Sequence, residues 1–177
     1  MEDLKVKLKK YISSNLVKKP KKKLINKFFD FIEERYCEDI DDFDVSFGSS
    51  QKESSIKDFI DKHEDYSDFQ TLLFKFIDDR NLKDSDVYNK VHIDRRLFSK
   101  IRSDKNYHPS KDTIILLAIA LELSEKELDD LLESASYSLP KNNNYDLIIR
   151  FCFINKIYKL TDINELLDEY MCKLFNY

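Results

Sequence analysis

Glycine is almost missing from this chain: Gly48 is the only one in 177 residues, and there are three prolines. Sandwiches and barrels turn every few residues and lean on both residue types, so an all-β fold is excluded. Phosphate loops and dinucleotide-binding turns need glycines at fixed offsets and are excluded with it. The three cysteines, Cys37, Cys152 and Cys172, are far apart and form no C-x-x-C pair. They are expected as reduced thiols rather than a disulfide frame or a zinc site. No run approaches the ~18 apolar residues of a membrane span. Lysines run through the first twenty residues with no apolar stretch, so no secretory leader and no membrane partner are expected. The reading is a soluble, cytoplasmic protein.

Signs of chemistry are scarce as well. His63, His92 and His108 lie in different segments and form no spaced set with cysteines or carboxylates, so no metal is expected. No nucleophile elbow, phosphate loop or kinase signature is present. The carboxylates sit in solvated blocks, where nothing local would tune one for acid–base work. The expectation is a protein with no catalytic residue and no cofactor, not an enzyme.

What the chain does hold is Lys, Glu, Asp, Leu and Ile, with a hydrophobic share of 42%. That fills an ordinary core, and an all-α fold follows. Heavy use of Lys, Ile and Asn fits an AT-rich coding sequence, such as that of a low-GC bacterium or its phage. The net charge of −4 hides strong segregation. Residues 1–29 carry ten lysines and two acids, residues 30–68 fourteen acids and four bases, and residues 90–111 seven bases and two acids. Where the charge lies therefore says more about partners than its total.

In chain order, residues 3–15 place Leu4, Leu8, Tyr11 and Ile12 at helical spacing, and residues 21–36 place Leu24, Phe28, Phe31 and Ile32 likewise. Between them Lys18, Lys19, Lys21, Lys22 and Lys23 surround Pro20. Two readings stand for these lysines: a solvated face, or an arm that contacts phosphates. Residues 38–55 are acidic and then Ser/Gly-rich, the best linker in the chain, and residues 56–64 suit a short helix. The acids of 38–68 either neutralise the preceding lysines or meet a basic partner protein.

From Ser67 the pattern sharpens. Helices are expected over 68–80 (Phe69, Leu72, Leu73, Phe76 and Ile77 inward), 83–91 (Val87, Tyr88 and Val91 inward) and 94–102 (Leu97, Phe98 and Ile101 inward). Asp94 is placed to cap the third. A fourth helix over 111–123 is almost uncharged inside and must be buried on most of its sides. Ser124 caps a fifth, with Glu127 as its reciprocal partner. After Pro140, two further helices are expected: 145–156, and 163–175 capped by Thr161 or Asp162, with Leu166, Leu167, Tyr170 and Leu174 inward. This pair either packs on the five-helix unit or offers a homodimer surface. The organisation is then an N-terminal extension (1–66), a five-helix domain (67–140) and a C-terminal pair (141–177).

DVYNKVHIDRRLFSKIRS, a short helix, a tight turn and a basic helix, followed by HPSKDTIILLAIALELSEKELDDLL, resembles the lambda-repressor-like (XRE-type) helix-turn-helix family over about residues 69–139. The resemblance implies double-stranded DNA as partner. It puts Arg95, Arg96, Ser99 and Lys100 on the groove-facing helix, with Arg102 and Lys105 near phosphates. The chain departs from the family pattern at Asp84 (usually Gln), Tyr88 (Ala), His92 (Gly) and Asp94 (Ser or Thr). His92 is then expected in the left-handed turn that glycine usually supplies. Two functions follow. One is a DNA-binding regulator of transcription. The other is a protein-interaction module of a bacterial or phage defence, counter-defence or antitoxin system, which uses the same fold on a protein partner.

Overall fold

The computed structural model describes residues 1–17 and 68–175. The helix expected over 21–36, the linker, the helix at 56–64, Lys18, Lys19, Lys21, Lys22, Lys23 and Cys37 lie outside the described residues. Among the described residues the chain forms helices and no strand. They are α1 (Glu2–Asn15), α2 (Phe69–Asp79), α3 (Asp84–Lys90), α4 (Arg95–Ser103), α5 (Lys111–Ala120), α6 (Glu125–Ser134), α7 (Asn144–Ile154) and α8 (Leu160–Glu169).

Five helices begin where a side chain accepts a free N–H of the first turn. Asp68 accepts from Thr71 at 2.8 Å, Asp94 from Arg96 at 2.6 Å, Ser110 from Thr113 at 3.2 Å and Asn143 from Asp146 at 2.8 Å. Ser124 accepts from Glu127 at 3.3 Å, and the Glu127 carboxylate takes the Ser124 N–H at 2.7 Å in return. That is the reciprocal cap read from the sequence.

The helix ends solve the shortage of glycine in another way. Asn81, His92, Glu122, Ser136, Lys156 and Met171 all have positive φ, between 51° and 58°. Each sits just beyond the last residues of a helix, and in each case the following residue's N–H reaches back to a carbonyl in the last turn. The six bonds are Leu82 to Ile77, Ile93 to Tyr88, Leu123 to Ala118, Tyr137 to Leu132, Ile157 to Cys152 and Cys172 to Leu167. These are Schellman closures. The residue that closes each one is apolar or aromatic and packs into or against the core. Burial of that side chain offsets the strain of a left-handed residue that carries a Cβ.

The core gathers around α5, where Ile114, Ile115, Leu117, Ala118, Ile119 and Ala120 are all buried. Against it pack α3 and α6, while α2 packs on α6, and α7 on α6 and α8. Helix α1 packs on α7, with Leu8 and Ile12 buried and Tyr11 5.5 Å from the Phe151 ring. Residues 1–17 thus share one core with the helices after residue 68. Polar clamps fix these contacts. Arg150 forks onto Asp129, with both bonds at 2.9 Å, and reaches Glu125 at 2.7 Å, locking α7 to α6. Arg80 and Glu127 do the same for α2 and α6 at 2.8 Å.

The last helix differs from its sequence reading. It starts at Leu160 after Lys159, with no side-chain cap from Thr161 or Asp162, and stops at Glu169 rather than running to Phe175. The left-handed turn at Met171 redirects the chain. Asn164 then takes both backbone groups of Phe175, each at 2.9 Å. Phe175 is buried as a result, and Leu174, expected inward, is 37% exposed.

Two carboxylates give the fold a pH signature. Burial by itself raises the carboxyl pKa of Asp112 and Glu127. Hydrogen bonds to Asp112 from Lys173 (2.6 Å) and Tyr145 (2.8 Å), and to Glu127 from Arg80 and Ser124, hold both below the usual carboxylate range. A carboxyl lowered in the folded state stabilises the fold above its unfolded pKa of about 4, and that contribution is lost as pH falls through the folded value. Asp112→Asn and Glu127→Gln should therefore lower the melting temperature at neutral pH, by an amount that shrinks toward wild type as the pH falls below about 4. A deficit that does not shrink as the pH is lowered would assign their role to shape instead of charge.

Candidate nucleic-acid interface

The basic helix α4 is held from within and at both ends. Phe98 (2% exposed) and Ile101 (0%) face the core. The Phe98 ring sits between Tyr88, with ring centres 5.6 Å apart, and Phe74 at 6.3 Å. Tyr88, where the resembled family has a small residue, fills the space between α3 and α4. Asp94 caps the first turn, and Gln70 on α2 donates to the carbonyls of Ile101 (2.7 Å) and Asp104 (2.6 Å) at the far end. The sequence reading missed Gln70. It is an isolated amide in an apolar helix, and only tertiary packing shows which carbonyls it meets.

The approach to α4 is equally defined. Val91 and Ile93 are buried on either side of His92, whose φ is 55°. The left-handed turn expected there is present, closed by the 2.9 Å bond from the Ile93 N–H to the Tyr88 carbonyl. Burial of both flanking residues fixes the turn that leads into α4.

Arg95, Arg96, Ser99, Lys100, Arg102 and Lys105 are all exposed. Residues 95, 99 and 102 share one stripe of α4, and 96 and 100 a second. The first stripe borders a cleft of about 390 Å³ between α3 and α4, floored by Tyr88 and Phe98 and edged by Lys83 and Ser85. Two members of the set already have partners. Arg102 pairs with Asp84 at 2.5 Å and lies 4.0 Å above the Phe74 ring; Lys100 lies 4.3 Å above the Tyr107 ring. Arg95 and Arg96 form no ion pair among the described residues.

No protein-family model, no curated protein and no solved structure matches this chain. Its chemistry must be read from the residues themselves.

Elsewhere the described residues carry little chemistry. They include no cluster of His, Cys, Asp and Glu able to hold a metal. His108 Nε2 bonds the Ala135 carbonyl at 2.8 Å, and its ring packs on Tyr137. Burial pushes the Cys152 thiol up to about 12, which leaves it protonated in the core. Among the described residues no helix is long and apolar enough to cross a membrane.

Proposed function

We propose that the chain is a DNA-binding regulator of transcription without catalytic activity. Helices α2–α6 act as a lambda-repressor-like helix-turn-helix unit, and α4 is its groove-reading helix. One observation carries this reading: Arg95 and Arg96 stand exposed in the first turn of α4, without counter-ions among the described residues. A helix N-terminus is the positive end of its dipole, so cations there cost a few tenths of a kcal/mol. The fold gains nothing from them, and a polyanion does. Guanidinium groups suit both guanine edges and phosphates.

Fluorescence anisotropy against pooled genomic fragments from the source organism tests this. Wild type should bind at roughly 50 mM salt and weaken steeply as salt rises. Arg95→Ala and Arg96→Ala should each reduce specific binding by about 1–3 kcal/mol if the side chain reads a base. Melting curves should stay unchanged or rise slightly, because both side chains are exposed and sit at the positive end of the helix dipole. Absence of wild-type binding at low salt would rule the reading out. The second reading, a module that grips a basic protein partner, draws on Asp84 and Asp94 lying beside α4. It requires stoichiometric recovery of that partner from the native host.

A further inference from the structure

The stripe Arg95–Ser99–Arg102 ends in a contact that local stability does not require. Asp86 already takes the Lys83 N–H at the start of α3, at 3.4 Å. Asp84 is therefore left to its ion pair with Arg102 at 2.5 Å across the mouth of the α3–α4 cleft. Both side chains are well exposed, 48% for Arg102 and 36% for Asp84, and an exposed pair of this kind adds little to folding. Arg102 does not depend on Asp84 for its position, because its guanidinium rests 4.0 Å above the Phe74 ring. A cation on an aromatic face stays oriented without a counter-ion.

We infer that Asp84 restrains nucleic-acid affinity by withholding Arg102 from the phosphate backbone. The inference rests on the DNA reading of α4 and adds a regulating residue to it. With the carboxylate present, the Arg102 charge is neutralised, and the pair offers no net positive charge to a strand that crosses the cleft. With the carboxylate gone, Phe74 still holds the guanidinium outward, beside Arg95, Ser99, Lys83 and Ser85. The surface then gains one phosphate contact, and each such contact adds about 0.9 to the slope of log K against log salt.

The test compares wild type, Asp84→Asn, Arg102→Ala and the double variant on the same DNA across a salt series. Asp84→Asn should bind about five- to twenty-fold tighter at roughly 0.1 M salt, with a slope steeper by about one phosphate contact. In the Arg102→Ala background the same change should give less than half of that gain on a logarithmic scale. Equal binding by wild type and Asp84→Asn overturns the inference and leaves the DNA reading intact. So does a gain that persists in full without Arg102. If wild type itself binds no DNA at low salt, the α4 reading falls first and the role of Asp84 falls with it. Asp84→Ser, checked with the others by thermal melting, repeats the comparison should the asparagine disturb α3; its expected and overturning results are the same.

Discussion

Phe98→Ala should lower the unfolding free energy by about 3–5 kcal/mol, the largest single effect expected in the α2–α4 region. The ring is 2% exposed and wedged between Phe74 of α2 and Tyr88 of α3. Neither neighbour is positioned to refill the gap, since Phe74 also carries Arg102 on its face. Truncation therefore costs the transfer energy of the ring and leaves a cavity where three helices meet. With total stabilities near 5–15 kcal/mol, such a loss removes about a fifth of the margin or more. Denaturant titration reads it directly. Phe98→Leu, which keeps most of the volume, should cost less than about 1.5 kcal/mol. An alanine variant within about 1 kcal/mol of wild type would mean that α4 is not seated by this ring.

Replacing four left-handed residues by glycine should raise stability by about 2–4 kcal/mol in total. The positions are Glu122, Ser136, Lys156 and Met171, with φ of 52°, 58°, 55° and 51°. A side chain in this conformation is strained by about 1–2 kcal/mol, and the greater freedom of glycine in the unfolded chain returns part of that. The net gain is about 0.5–1 kcal/mol per site. Glu122 gives up only a solvent-exposed pair with Lys90, and Met171 is 96% exposed, so neither substitution empties the core. The four closures belong to different helices, and their gains should add. For a chain of this size that is roughly 5–15 °C in melting temperature. Asn81 is left out because asparagine tolerates the left-handed region, and His92 because it adjoins the candidate site. No rise for the combined variant would mean that the apolar closing residues, not the backbone angle, dominate these turns.

Much of this was legible from local pattern. The helix at α4, its Asp94 cap, the Ser124–Glu127 box and the buried α5 each depend on residues within one or two turns of each other. The candidate cations at Arg95 and Arg96 were readable for the same reason: outward residues are whatever the inward spacing leaves over. The course of the C-terminus was not readable. Leu174 and Phe175 fit a continuing helix equally well, and the stop comes from Met171, a residue that is rarely left-handed. The clue was the apolar residue placed to close a turn, as at Leu123 and Ile157, rather than the expected glycine.

By itself the sequence determined the helical class, most of the starts and inward faces of the helices, and the basic outer face of α4, because capping and periodicity act over a few residues. Only the tertiary structure decided that α1 packs on α7, that Gln70 holds the end of α4, and that Asp84 claims Arg102. Those pairings join residues 18 to more than 100 positions apart. Which of several equivalent carbonyls, rings or carboxylates a side chain meets depends on how the helices pack, and nothing in local spacing encodes that choice.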